Sequence, residues 1–108
     1  EYRHAKLEYK RPLLYVIGGG IPIAPRATFS NSGVELQFYI WNPGPSTRTV
    51  EIYMPCHRIK HASHYSYFTM AYEELGHEYN KVVLALAGYG LAHIKLEATE
   101  IPLLRGKC

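Results

Sequence analysis

No aspartate occurs in the 108 residues; all nine acidic side chains are glutamate. Calcium loops and carboxylate metal clusters depend heavily on Asp, so a dedicated Ca²⁺ loop is not expected. With no G-x-S-x-G turn and only Glu to orient a catalytic histidine, the sequence reads as that of a non-enzyme. Charge is also sparse, with 19% charged residues, twelve Lys and Arg, and a net charge of +3. The basic residues are scattered, and their densest group, Lys6, Lys10 and Arg11, contains Glu8, which argues against nucleic-acid binding. The longest apolar stretch, Val82 to Ala92, holds two glycines and falls well short of the roughly 20 residues of a membrane span. No N-x-S/T sequon is present, since Asn31, Asn42 and Asn80 all fail the pattern, so an N-glycosylated surface is not expected. The chain opens at Glu1 rather than Met, as a processed or excised piece would.

What is present is patterned as strands. The length and the 47% hydrophobic content suit one domain over residues 1–108, with 1–12 as an N-terminal arm or edge strand. Val34, Leu36, Phe38 and Ile40 alternate with Glu35, Gln37, Tyr39 and Trp41, a period-two strand. Asn42-Pro43-Gly44-Pro45-Ser46 breaks it, and Val50, Ile52 and Met54 then alternate with Thr49, Glu51 and Tyr53. The two segments are expected to form a hairpin with its apolar faces on one side. Val82 to Ala87 is apolar on both faces and is predicted to be a central strand. Gly88-Tyr89-Gly90 turns the chain into a half-buried strand with Ala92, Ile94, Leu96 and Ala98 inward. Leu13–Ile17, Arg26–Ser30 and Tyr65–Tyr72 bring the expected total to about seven strands. That count, with turns between, is the signature of an all-β chain, an antiparallel β-sandwich or a barrel. Gly18-Gly19-Gly20 follows a strand, but Ile21-Pro22 after it cannot open a phosphate-binding helix, so it reads as a turn.

In order, these segments resemble the later part of a MAM domain, an extracellular jelly-roll module. The residues that carry the likeness are Leu14-Tyr15-Val16, Arg26-Ala27-Thr28-Phe29, Glu35 to Trp41, Thr49 to Met54, Val82 to Ala87, Ile94 to Ile101 and the closing Gly106-Lys107-Cys108. Together they cover roughly residues 13–108. The family's Cys at the start of its long central strand is Glu35 here, Cys56 lies a strand later, and the family's acidic pair is absent. The resemblance implies one module of a larger cell-surface or secreted protein, engaged in recognition or adhesion and able to self-associate.

Two cysteines, Cys56 and Cys108, are expected to pair, clamping the C-terminus and closing a long loop; two free thiols or a bridge between chains are the alternatives. A disulfide would place the protein outside the cell or on its surface. His57, His61 and His64 have the spacing of a Zn²⁺ set on a helix, with Cys56 as a fourth ligand; the competing reading is a polar connecting loop after Pro55. Cys56 and His57 as adjacent strand residues would diverge, so they do not read as a catalytic pair. Ten tyrosines and Trp41 point to an aromatic surface or to cross-strand pairs covering a sheet. Tyr39, Trp41 and Tyr53, with Arg48, are the candidate binding surface for a protein partner, including a second copy. A glycan is the alternative ligand, held by the same aromatics with Arg48 and Glu51.

Overall fold

The computed structural model describes the backbone at residues 4–9, 11–31, 33–66 and 69–101, and side chains from Leu14 on. It is an all-β sandwich of two antiparallel sheets. The nine strands among the described residues are β1 (His4–Tyr9), β2 (Arg11–Ile17), β3 (Ile21–Phe29), β4 (Gly33–Trp41), β5 (Arg48–Tyr53), β6 (His57–Ser66), β7 (Ala71–Glu74), β8 (Lys81–Leu86) and β9 (Leu91–Glu100). One sheet has the order β1-β2-β5-β8 and the other β3-β4-β9-β6-β7.

The period-two pattern drives this arrangement. Val34, Leu36, Phe38 and Ile40 of β4 and Ile94, Leu96 and Ala98 of β9 are buried, and they face Leu14, Val16, Val50, Ile52, Val82 and Leu86 from the other sheet in one core cluster. Each fully buried Leu, Ile, Val or Phe side chain contributes about 1.5–3 kcal/mol. The intervening residues, Glu35, Gln37, Tyr39 and Lys95 among them, point away from the core.

Four expectations are corrected. The β4–β5 segment is not a hairpin: β4 pairs with β3 and β9, whereas β5 pairs with β2 and β8 in the opposite sheet. A crossover and a hairpin both turn the apolar residues inward, so alternation cannot separate them. The second correction concerns β8, which ends its sheet among the described residues and leaves Val83 46% exposed, so it is not central. The third is the His57–His64 segment, which is strand and not loop. Its Ile59 and Ala62 reach the core, and a register shift between Ile59 and His61 reconciles their odd spacing with the pleat. Finally, the expected strand over Tyr65–Tyr72 is the end of β6, a turn, and β7. The N-terminal segment is the edge strand β1, paired with β2.

Chain crossings between the sheets use tight local chemistry. Met54-Pro55-Cys56-His57 is a turn in which His57 N–H donates to the Met54 carbonyl at 3.2 Å. Pro55 suits its first central position, and Cys56 takes the left-handed conformation with φ 59°. Asn42, wholly buried, fastens two crossings together. Its Nδ2 donates to the carbonyls of Ser46 (2.8 Å), Leu86 (3.1 Å) and Ala87 (3.0 Å), while Oδ1 accepts from Gly44 N–H at 3.0 Å. Gly88 packs so closely that a Cβ there would strike the Pro45 carbonyl.

Candidate functional site

Register builds an aromatic row across the outer face of the five-stranded sheet. Ile23 of β3 lies opposite Tyr39 of β4, and Tyr39 opposite His93 of β9. On the far side Tyr65 of β6 pairs with Tyr72 of β7. The rings touch in sequence: Tyr39 stacks on His93 with centroids 4.6 Å apart and an interplanar angle of 18°. Tyr65 meets Tyr72 edge-on at 5.4 Å, and Tyr72 lies 5.6 Å from His93. His93 is on β9, the middle strand, so it forms the centre of the row. The neighbouring row is Ile21, Trp41 and Leu91. Ile23 is 41% exposed and Leu91 56%, which makes this end of the face amphipathic.

The next row is charged. Arg26 pairs with Gln37, Gln37 with Lys95, Lys95 with Ser63, and Ser63 with Glu74. Lys95 Nζ is 3.1 Å from Glu35 and 5.2 Å from the Tyr72 ring centroid. The hydrogen bond and charge of Glu35 raise the Lys95 pKa above its ordinary value. Lys95 is therefore neutralised by its own neighbour and covers one ring.

The candidates from the sequence divide between the two outer faces. Tyr39 and Trp41 are on the five-stranded sheet, but Tyr53 is on the four-stranded one, between Tyr15 and Lys81. Its hydroxyl donates to Glu51 Oε1 at 2.6 Å, which raises its pKa. Lys81 lies 3.9 Å from Glu51 and 3.6 Å from Glu78, whose carboxylate is the first cause of its raised pKa. Arg48 is half-buried against the turns at Gly19 and Gly44, with Nη1 donating to the Gly19 carbonyl at 3.4 Å. It braces crossings rather than joining Tyr39 and Trp41.

The histidines also separate. His57 is buried, its Nδ1 2.7 Å from the Pro55 carbonyl; His61 is exposed on the outer face; His64 Nε2 lies 3.8 Å from Glu73. On a strand, His57 and His64 are separated by about 20 Å along the chain. Among the described residues no group of three or more His, Cys, Asp or Glu is placed to hold a metal ion. Cys56 is buried beside the end of β9, where Ile101 N–H donates to its carbonyl at 3.0 Å. Cys108 and Tyr67 lie outside the described residues.

Tyr65, Tyr72 and His93 were not legible as members of one site. His93 had the right parity for an outer face, but its position at the middle of a sheet follows from strand order alone. An antiparallel β-sandwich carrying an outward-facing, half-buried aromatic row on its larger sheet is the class that this geometry defines. Comparisons with family models, curated proteins and solved structures found no match for the chain.

Proposed function

We propose that this chain is an extracellular, non-catalytic recognition module, MAM-like in kind, whose outer five-stranded face binds a protein, and that the partner is a second copy of the chain. The observation that carries the reading is the stacking of Tyr39 on His93. A sugar ring binds to the open face of an aromatic. Here Tyr39 and His93 each cover one face of the other and Lys95 lies over one face of Tyr72, which reduces the open ring face and brings forward edges, hydroxyls and the apolar Ile23 and Leu91. That mixture of rigid aromatic area and polar tips is typical of protein interfaces.

A second copy fits the charges. A two-fold axis parallel to the strands lays β3 of each copy over β7 of the other, since β9 is central. Arg26 then faces Glu74, and the Lys95 pairs remain neutralised by Glu35. Extracellular placement is supported by Cys56: no described cysteine is a free thiol, and Ile101, just after β9, bonds to its carbonyl.

Sedimentation velocity over a concentration series tests this. A reversible dimer is expected, and Tyr39→Ala with His93→Ala should weaken it more than tenfold, about 1.4 kcal/mol or more. Tyr53→Ala, on the opposite outer face, should leave it unchanged. A dimer equally strong in the double variant would remove this surface from consideration. A monomer at every concentration would remove the second copy as partner.

A further inference from the structure

At the far end of the same outer face, six residues along β9 from His93 and so about 20 Å away, four cationic or protonatable side chains surround a shallow groove of about 410 Å³. Its lining is Arg58, Ile59, Lys60, His61, His77 and Thr99. The register shift in β6 explains the density of charge. Regular alternation would turn one of Lys60 and His61 inward, but the irregularity between Ile59 and His61 leaves both exposed, as Arg58 is. The opposite wall is held in place by backbone bonds: Leu75 N–H donates to the Ala62 carbonyl and Ile59 N–H to the Tyr79 carbonyl, each at 2.8 Å, which positions His77 alongside β6.

Lys81 and Lys95 each have a Glu partner. Arg58, Lys60, His61 and His77 have none among the described residues, and no carboxylate lines their groove. Glu97, across from His61 in register, opens instead into an adjoining groove of about 320 Å³ that shares Lys60 and Thr99. That second groove presents Thr28, Ser30, Glu35 and Glu97. Hydroxyls and carboxylates of this kind exchange hydrogen bonds with sugar hydroxyls. The two grooves side by side therefore match a ligand with an anionic group at one end and hydroxyls at the other.

We infer that this trench is a binding site for an acidic oligosaccharide, with a sulfate or carboxylate of the sugar on Arg58, Lys60, His61 and His77 and neighbouring hydroxyls on Thr28, Ser30 and Glu97. Arg58 supplies a planar fork for the anion and Lys60 a point charge. The site is separate from the aromatic row and does not depend on it.

Isothermal titration calorimetry on the full chain tests the assignment, with three probes: a sulfated uronic octasaccharide, a carboxylate-only polyuronate octasaccharide and inorganic sulfate. The sulfated octasaccharide is expected to bind, more weakly as salt is raised, and Arg58→Ala with Lys60→Ala should lower its affinity at least tenfold. Both side chains are exposed and make no hydrogen bond among the described residues, so the double variant should melt with the parent. Lys81→Ala, on the four-stranded sheet, should bind as the parent does. Equal binding of the polyuronate would support the site and assign it to carboxylated sugars. Inorganic sulfate binding as tightly as the octasaccharide would overturn the inference in favour of a small-anion site. So would an unaffected double variant, or no heat with either sugar.

Discussion

Replacing Asn42 with alanine should lower the stability of the sandwich by about 2–3 kcal/mol, and the melting temperature of a domain this size by roughly 10–20 °C. The side chain is wholly buried and engaged at both ends: three carbonyls accept from Nδ2, and Oδ1 accepts from Gly44 N–H. Truncation would strand the buried Leu86 carbonyl and Gly44 N–H, each costing about 1–3 kcal/mol, while the Ser46 and Ala87 carbonyls, at the surface, could recover water. Asn42→Asp should be at least as damaging, because it sets a carboxylate against three carbonyls without water. Urea denaturation of both variants measures the effect. A change under 0.5 kcal/mol would mean that the two crossings hold their geometry without this side chain. The backbone N–H of Asn42 also donates to the Gly90 carbonyl at 2.9 Å, next to the Trp41–Leu91 pair. Loosening this joint should therefore weaken the proposed dimer through the adjacent apolar row.

Cys56→Ala with Cys108→Ala should cost a further about 2–4 kcal/mol, on the reading that the two cysteines are bridged. A link closing about 50 residues removes on the order of 4 kcal/mol of unfolded-chain freedom in the loop-closure treatment, and native strain reduces what is realised. The position of Cys56 favours the link. It is buried, sits at a turn, and bonds through its carbonyl to Ile101, which precedes Cys108 by seven residues in sequence. A non-reducing peptide map should recover Cys56 and Cys108 as one linked peptide, and denaturation with reductant should reproduce the loss in the double variant. Two free thiols would overturn the bridge and the principal support for an extracellular setting. A peptide that links two Cys108 residues would move the bridge between chains.

The inward faces of β4, β5 and β9 were legible because burial on one side of a pleated strand imposes a period of two, and Val34 to Ile40, Val50 to Met54 and Ala92 to Ala98 keep it without interruption. β6 was hidden for the opposite reason. Its register shift breaks the period between Ile59 and Ala62, so a strand whose only aliphatic residues are these two reads as a loop. β8 misled in a different way, since Val83 and Ala85 are apolar yet exposed at a sheet edge. Tyr39 and Trp41 could be assigned to an outer face from parity. Which other aromatics share that face could not, because pairing between strands far apart in sequence leaves no local periodic mark.

The residue pattern by itself thus determined an all-β chain, the composition of its core and the side of each regular strand that faces water, all consequences of local alternation and the cost of exposing apolar surface. Strand order was decided only by the tertiary structure: the Pro43-Gly44-Pro45 segment carries the chain across to the other sheet, separating Tyr53 from Tyr39, while β9 is inserted between β4 and β6 and brings His93 between Tyr39 and Tyr72. Packing two sheets face to face leaves each strand's parity intact whichever neighbour it takes, so the neighbours, and with them the surfaces, are set by long-range contacts such as those of Asn42.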